Sequence, residues 1–546
     1  MEPSLSSEGS AIGNAKDVGS DFMKRPDRRS ILRNASACLA LMAIQSAAPA
    51  SISRGHGGRR DGLGPAVSGE RVNVRDFGAK GDGRTIDTLA INRAITACAP
   101  GQTLYFPSGI YLVDNSDMRD NGAHTTIPLG DGVNVFMEKD AWMKRHPSER
   151  KGVYFLAPTS NNILQVNVDG DEIVDARHDR WSQAQCIGVN GADCKNVTVV
   201  NSHFKNLTYG VRTRGASGCR LHESHFRQIR LSGVLMQAAG MASSIHNEVV
   251  GCTFENMGDT AAAFHVTDRN GVCAHNRVDR CIAKNTQLRA LGFAFDFEGG
   301  FEFGKIHNNA ITGCKVEQTA VSALGQGGIT MNRYSEDSII AGNSLIGNLH
   351  QAHDVGIMIP DTRGIKVLDN YIEKFRGGAI NADGAESAVI SRNQIRNSGD
   401  ATIPGVLLHS AIVLGYVSGS RSCLVDDNVI EWSVGYPFGG ENAAAIAARR
   451  YEKHGVADLT IRNNKIRNAL GHGIMIVGFG EPGYQLQNVQ IEYNELTDDS
   501  PGRVPGRKPV VARYIHGLRM EGNVVGSGRR EVDLTGSTGS GLLARL

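Results

Sequence analysis

One short motif recurs along the second half of the chain and constrains the fold more than any other feature. Each copy has alternating apolar residues, then an asparagine, one variable residue and another apolar residue. The shared asparagines are Asn309, Asn343, Asn370, Asn393, Asn428, Asn464, Asn494 and Asn523, at intervals of 23 to 36 residues. Such a period indicates a solenoid, in which each repeat packs on its neighbours. Because the intervals vary while the motif holds, the extra residues are expected in loops between strands.

The motif predicts β-strands, because its apolar and polar residues alternate with a period of two. Weaker copies begin at residues 197, 219, 248 and 273 and carry Ser, Cys or Asn at the shared position. The sequence therefore predicts an all-β, single-stranded parallel β-helix of about twelve coils. Equivalent side chains in such a stack lie about 4.8 Å apart. We therefore expect the asparagines to hydrogen-bond to one another inside the coils and to have no catalytic role.

Composition agrees with this fold and excludes some partners. The 66 glycines and the low aromatic content suit an array of tight turns. The 58 basic and 56 acidic side chains nearly balance, which gives no reason to predict binding to nucleic acid or to an anionic membrane surface. The ten cysteines include no CxxC pair, and most fall at repeat positions, so we expect buried thiols rather than a zinc site.

The N-terminus predicts an export signal. Arg28 and Arg29 precede an apolar stretch over 35–48, which ends in the small-residue sequence Ala48-Pro49-Ala50. This order is typical of a twin-arginine signal, and the apolar stretch is too short to span a bilayer. The predicted organisation is a signal peptide over 1–50, a flexible linker over 51–70, the β-helix over 71–525 and a C-terminal tail over 526–546. The predicted location is the periplasm or the exterior of the cell.

The start of the β-helix carries a recognisable signature. The segment DFGAKGDG (76–83), the spacing Ala90-Ile91 and Ala94-Ile95, and YFPSGIY (105–111) resemble the N-terminal signature of the pectate-lyase-like, polygalacturonase-related superfamily (glycoside hydrolase family 28-related). The resemblance implies a right-handed parallel β-helix. Apolar residues at helical spacing over 87–99 predict a short helix that caps its first coil. The superfamily contains hydrolases, lyases and epimerases, so the fold does not name the reaction.

A second strand precedes the motif in each coil, and its outward residues are the candidates for function. Asp296 and Glu298 are the predicted catalytic carboxylates, with His265 on the neighbouring coil. We expect His265 beside Asp296, and Thr267 and Asn332 beside Glu298. The predicted substrate-binding residues are Arg212, Arg214, Gln237, Asn332, Arg333, Asp361, Asn381 and Asp383.

Three functions fit these residues. Two carboxylates that flank a bond are the minimum equipment for glycoside hydrolysis, which is the first hypothesis. The second is a lyase or C5-epimerase for a uronic-acid polymer, with His265 as the base and Arg212 or Arg214 on the uronate. The third is a carbohydrate-binding β-helix without catalysis. The predicted partner is a polysaccharide, and the oligomeric state stays open. No resident metal is predicted; a calcium ion, if one binds, would take Asp296, Glu298 and Asp383.

Overall fold

The computed structural model describes residues 69–115, 125–149, 153–171, 185–288, 292–299, 301–318, 327–350, 354–403, 409–415, 418–440, 442–449, 456–481, 485–499, 506–526 and 531–541. They lie in one compact unit, Leu63–Leu546. The predicted signal peptide and nearly all of the predicted linker lie outside the described residues. Within the described part of the chain, no helix is long and apolar enough to cross a membrane.

The chain winds through three parallel sheets, which confirms the predicted all-β parallel β-helix. One sheet has 16 strands, from Asp82–Ile86 to Val524–Val525, and a second has 17, from Arg71–Asn73 to Thr538–Ser540. The third, here called the site sheet, consists of one long line of strands and a short line beside it. The long line comprises Thr125–Pro128, Tyr154–Ala157, Ile187–Lys195, Tyr209–Ser217, Val234–Ala238, Ala262–Val266, Phe293–Glu298, Gly327–Met331, Ile357–Met358, Ile380–Asn381, Ile412–Leu414, Ala444–Arg449, His472–Val477 and Val510–Arg513. The short line comprises Ser244–Ile245, Cys273–Ala274, Ile306–His307 and Ser335–Glu336.

The described stack is longer than the repeat motif indicated. The last twelve strands of the 16-stranded sheet correspond to the twelve copies of the motif, but four strands precede them. These are Asp82–Ile86, Gly109–Val113, Ala141–Arg145 and Asn167–Asp169. The predicted number of about twelve coils is therefore too low, because these first coils lack the asparagine motif. At the other end, Thr538–Ser540 lies in the predicted tail but pairs in parallel with Ile515–Glu521.

A single α-helix, α1 (Thr88–Ala97), is described, as predicted for the N-terminal cap. Ala90, Ile91 and Ala94 are buried on its inner face. Asp87 is the residue before the first turn of the helix, and its carboxylate ties the helix to the preceding turn, because it accepts hydrogen bonds from the backbone N–H groups of Lys80 and Gly81. A short 3-10 helix, Val74–Phe77, precedes it.

The predicted asparagine ladder is present. The backbone N and Nδ2 of Asn393 both donate to Asn428 Oδ1, at 3.0 and 2.9 Å, and Nδ2 also donates to the Val367 carbonyl. The same pattern links successive asparagines from Asn343 to Asn523. These amides therefore pair backbone groups that the coils bury.

Asn309 was assigned to the wrong ladder. Its backbone N donates to Ser338 Oγ at 3.0 Å, and its Oδ1 accepts from Asn276, so it belongs to a second stack at another turn. In the ladder of Asn343, its place is taken by Cys314, whose backbone N donates to Asn343 Oδ1. The two turns lie five residues apart in this coil and have similar apolar flanks, which explains the error. Cys252, Cys281 and Cys314 are buried free thiols, as expected of most cysteines.

Replacing Asn393 by leucine is expected to destabilise the fold by about 1–3 kcal/mol, because the partners of its amide lose their hydrogen bonds while buried. The neighbouring variant Gln394→Leu changes an exposed strand residue of similar size and serves as the control. Thermal unfolding of both proteins measures the effect. Equal melting temperatures for Asn393→Leu, Gln394→Leu and the unchanged protein would show that the ladder contributes nothing.

Candidate active site

Five neighbouring strands of the site sheet carry most of the predicted site residues. They are β1 (Tyr209–Ser217), β2 (Val234–Ala238), β3 (Ala262–Val266), β4 (Phe293–Glu298) and β5 (Gly327–Met331). Phe295 and Phe297 of β4 are completely buried in the interior of the coil. Because side chains alternate along a strand, Asp296 and Glu298 lie on the outer face, as predicted.

One outward column crosses β1 to β4. Arg214 pairs with Gln237, Gln237 with His265, and His265 with Glu298. Asn332 continues this column, since it follows Met331, the partner of Phe297, and its backbone N donates to the Phe297 carbonyl. The prediction that Thr267 lies beside Glu298 is wrong, because His265 occupies that place. The predicted register of β3 was shifted by two residues.

A parallel column places Asp296 between Ala263 and Thr330 rather than directly beside His265. The predicted contact between Asp296 and His265 nevertheless exists, along the diagonal. His265 Nε2 lies 3.3 Å from Asp296 Oδ2 and 3.9 Å from Glu298 Oε2. The two carboxylates and the imidazole therefore form one cluster.

The charges of this cluster act on His265. Burial lowers the pKa of His265, but the hydrogen bond and charge of Asp296 and the charges of Glu298 and Asp259 raise it, and the net result is a raised pKa. Asp259 had not been identified from the sequence. It precedes β3 by three residues and carries no pattern that marks it as part of a site.

The members of the cluster differ in exposure. The side chains of Glu298 and His265 are 49% and 28% exposed, whereas that of Asp296 is 4% exposed. The lateral neighbours of Asp296, Ala263 and Thr330, are buried as well. A polymer on the outer face can reach Glu298 and His265 directly. Asp296 is placed to act through His265 and not by contact with a sugar.

One oxygen of Asp296 lacks a partner. Oδ2 contacts His265, but Oδ1 is buried and accepts no hydrogen bond from any residue that the structure describes. Ala263 has no side-chain donor, and the Thr330 hydroxyl donates to the Met358 carbonyl instead. An unpaired buried acceptor costs roughly 1–3 kcal/mol. The fold therefore retains a carboxyl group at a place that does not favour stability.

Most of the other predicted substrate-binding residues already have partners within the protein. Arg212 Nε donates to Gln237 Oε1 at 3.3 Å, and Arg333 Nε lies 3.4 Å from Asp361 Oδ2. Further along, two side chains hold turns: Asn381 Oδ1 accepts from the backbone N of Asp383, and Asp383 Oδ1 accepts from that of Ser418. Arg214 is the exposed cation nearest to His265 in the column.

Exposed aromatic residues near the cluster had not been identified from the sequence. Phe301 and Phe303 follow β4 in the turn after Glu298, and both are exposed. Phe303 packs edge-on against Tyr334, and the Arg363 guanidinium lies 4.5 Å from its ring centre. The sequence does contain a signal for them, since two phenylalanines follow directly after the strand that carries the two candidate carboxylates. Such rings offer apolar faces on which sugars pack.

The same cluster is the one group of potential metal ligands found among the described residues. One ligand atom each of His265, Asp296 and Glu298 lies within 4.8 Å of the others. Asp383 is not part of the group, since three steps along the column, about 14 Å, separate it from Glu298. The donor set contains an imidazole nitrogen, whereas calcium prefers six to eight oxygens. A calcium site from Asp296, Glu298 and Asp383 therefore has no support from the geometry.

The fold and this outward cluster define the class: a parallel β-helix with candidate acid-base groups on its longest sheet. Comparison with known proteins agrees. Residues 71–281 match the family model "Rhamnogalacturonase A/epimerase, pectate lyase-like", and residues 263–430 match "Right handed beta helix region". The chain belongs to the pectate-lyase-like superfamily of right-handed parallel β-helix proteins.

Two curated relatives come from Azotobacter vinelandii. A mannuronan C5-epimerase is 31% identical over 148 residues, which are 25% of this chain and 8% of that protein. Alginate lyase 7 is 33% identical over 145 residues, which are 25% of this chain and 17% of that protein. The chain thus spans less than a fifth of the length of either relative. Among solved structures, the tailspike protein of Escherichia coli bacteriophage HK620, in complex with a pentasaccharide, is similar in fold. It has a TM-score of 0.53 and 14% identity over 83% of this chain and 78% of that one.

Proposed function

We propose that the chain is a polysaccharide-active enzyme that modifies a uronic-acid polymer by lyase or C5-epimerase chemistry at His265 and Glu298. The observation that carries this proposal is the contact of His265 with an exposed carboxylate, Glu298, on one side and a buried one, Asp296, on the other. It is supported by the 31% and 33% identity, over a quarter of the chain, to a mannuronan C5-epimerase and an alginate lyase.

The exposed groups match the first step of both reactions. Glu298 takes the proton from C5 of a uronate residue, and His265, fixed by Asp296, offsets the negative charge that develops on the uronate carboxylate. Loss of the C4–O bond then forms a C4=C5 double bond, and the departing sugar oxygen takes a proton from water. Donation of a proton from water to the opposite face of C5 gives the epimer instead, and the proton taken by Glu298 returns to the solvent.

Arg212 and Arg214 are too distant from Glu298 to contact the reacting sugar. Three steps along the column, about 14 Å, separate Arg214 from Glu298. Arg212 lies in the parallel column, and its Nε donates to Gln237. We assign both guanidiniums to neighbouring uronate residues of the same polymer.

Hydrolysis is the second candidate, and one observation favours it. The nearest oxygens of Asp296 and Glu298 lie within 4.8 Å of each other. This spacing is closer to the roughly 5–5.5 Å of retaining glycosidases than to the roughly 6.5–9.5 Å of inverting ones. The burial of Asp296 counts against it, because neither oxygen is open to a sugar.

A panel of polyuronates and neutral polysaccharides, incubated with the full chain in deuterated water, separates these functions. Reducing ends accompanied by ultraviolet absorbance of unsaturated uronate indicate a lyase, and deuterium at C5 without new ends indicates an epimerase. Reducing ends alone indicate hydrolysis. Binding of a polymer without any of these changes would contradict an enzymatic function and support a carbohydrate-binding protein.

We also propose export by the twin-arginine route, on the basis of Arg28, Arg29 and the apolar stretch that follows them. Replacing both arginines by lysine is expected to leave the protein in the cytosol. Cell fractionation followed by immunoblotting measures this, with a single Arg33→Lys variant as control. Export that continues undiminished in the double variant would contradict the route.

A further inference from the structure

We propose that His265, Asp296 and Glu298 together bind one divalent transition-metal ion, such as Zn²⁺ or Mn²⁺. The metal site deepens the proposed function, on which its catalytic use rests, whereas binding itself is independent of any reaction. The donors are one imidazole nitrogen and two carboxylate oxygens, from three residues, with the groove side left for water or a sugar. Three protein ligands and one open position are typical of catalytic zinc sites.

Two of the three ligand distances are close to those of such an ion. Ligands that bind at about 2.0–2.1 Å in a tetrahedral arrangement lie about 3.4 Å from one another. His265 Nε2 lies 3.3 Å from Asp296 Oδ2 and 3.9 Å from Glu298 Oε2. The Asp296 and Glu298 oxygens lie within 4.8 Å of each other, so the half-exposed side chain of Glu298, at the end of β4, would turn toward the other two groups when the ion binds.

Asp296 supplies the independent reason to expect a cation. It is 3% exposed, and its Oδ1 accepts no hydrogen bond from the described residues. Neither lateral neighbour can donate to it, since Ala263 has no donor and the Thr330 hydroxyl donates to Met358. Buried carboxylates are normally paired or bind metals. A divalent ion between the three groups would give this carboxyl the second positive partner that the protein does not provide.

The backbone holds the ligands in place. Asp296 and Glu298 are two residues apart on β4, so their side chains lie on the same face. His265 is on the paired strand β3, opposite Glu298. On the inner face, Phe297 stacks on Phe264 with ring centres 4.8 Å apart, which locks the two strands together. The ligand set is therefore built on rigid strands and not on loops.

The nitrogen donor determines the class of metal. Imidazole suits zinc and other first-row transition ions, whereas calcium takes six to eight oxygens at longer distances. In the proposed reaction the ion would take over from His265 the neutralisation of the uronate carboxylate, and the oxygen of Glu298 that does not bind the ion would accept the C5 proton. Along the described column, His265 is the cation nearest to Glu298, and Arg214 is about 14 Å away. Arg333, which follows Asn332 beside Glu298, is held by Asp361.

A second group of histidines on the surface provides a matched control. The rings of His246 and His275 stack with centres 4.8 Å apart and an interplanar angle of 8°. Nitrogen lone pairs lie in the ring planes, so two stacked rings cannot both direct one toward the same ion at about 2.1 Å. His307 lies perpendicular to His275 with ring centres 5.5 Å apart, but among the described residues this group does not offer three ligands to one ion. His275→Gln should therefore leave specific metal binding unchanged, whereas His265→Gln removes a ligand of similar chemistry.

Isothermal titration of the chelator-treated full chain with ZnCl₂, MnCl₂ and CaCl₂ tests the proposal, and the absorption spectrum of bound Co²⁺ reports the ligand geometry. We expect one equivalent of Zn²⁺ or Mn²⁺ and at least tenfold weaker binding of Ca²⁺. His265→Gln and Glu298→Gln should each weaken binding at least tenfold, with circular dichroism confirming the fold, and His275→Gln should not.

Absence of tight binding, or binding that survives His265→Gln or is lost in His275→Gln, would overturn the metal site. The two proposals fail in different ways. Metal binding without any reaction on the polymer panel refutes the proposed function alone. Full activity on a polyuronate after chelation, in a chain that also fails to bind added Zn²⁺ or Mn²⁺, refutes the metal site alone.

Discussion

Glu298→Gln is expected to lower turnover on a polyuronate by at least about 10²-fold, the scale of losing a positioned proton-transfer group. The amide keeps the shape and much of the hydrogen-bonding capacity of the carboxylate but cannot take the C5 proton at neutral pH. The side chain is half exposed, so folding should be unaffected. Initial rates and polymer affinity, measured in the same preparations, separate catalysis from binding.

Glu255→Gln is the matched control. Glu255 is 52% exposed, close to the 49% of Glu298, but lies on the 16-stranded sheet, where it pairs with Arg227. Its loss should leave turnover unchanged. If Asp383→Asn abolishes turnover while Glu298→Gln stays active, the reaction takes place further along the site sheet and the assignment to Glu298 is wrong.

The faces of the strands could be predicted from the sequence, but their lateral register could not. Alternation of apolar and polar residues placed Asp296, Glu298 and His265 outside and Phe295 and Phe297 inside. A shift of one residue would have exchanged the two faces and been detected. A shift of two residues keeps the face, so pairing His265 with Asp296 rather than Glu298 violated no pattern. Because the lengths of the loops differ from coil to coil, the number of residues between β3 and β4 could not fix the register either.

The burial of Asp296 had no signal of its own in the sequence. Its neighbours across the sheet are Ala263 of β3 and Thr330 of β5, which lie more than thirty residues away on either side along the chain. Thr330 has a hydroxyl that could have paired with Asp296, and only the structure shows that it donates to Met358. An outward position on a strand therefore predicts the face of a residue but not its contact with solvent.

The misplaced Asn309 and the missed first coils have different physical origins. Different residues can pair the buried backbone groups of one ladder: the hydroxyls of Ser202 and Ser224 accept from backbone N–H groups, the Cys314 thiol donates to a backbone carbonyl, and asparagine does both beyond it. An asparagine at the neighbouring turn could therefore be mistaken for a member of this ladder, whereas Val166, in the last of the missed coils, has no polar side chain at this position. The superfamily signature, in contrast, lies in these first coils, where the match to the family model also begins, at residue 71.

Asp296→Leu is expected to abolish activity and yet stabilise the fold. Measured in chelator-treated protein, the free energy of unfolding should rise by about 1–3 kcal/mol, because the change removes a buried carboxyl group with an unpaired oxygen, and the partner that it leaves, His265, is 28% exposed and keeps contact with water. The site supports this sign: Ala263 lies on one side, Oδ1 has no partner among the described residues, and Phe264 and Phe297 already pack rigidly beneath. Turnover should fall at least about 10²-fold, since His265 loses the group that orients it.

Asp296→Asn separates charge from volume, because it keeps the shape and supplies a donor in place of one acceptor. Its activity should also be lost, while its stability should lie between those of the leucine variant and the unchanged protein. Thermal unfolding with and without Zn²⁺ completes the comparison, since an ion that binds only the native state raises its melting temperature. Zinc should stabilise the unchanged chain and neither variant. A leucine variant less stable than the unchanged, metal-free protein would mean that Asp296 stabilises the fold. The main physical argument for a functional site at Asp296 would then be lost.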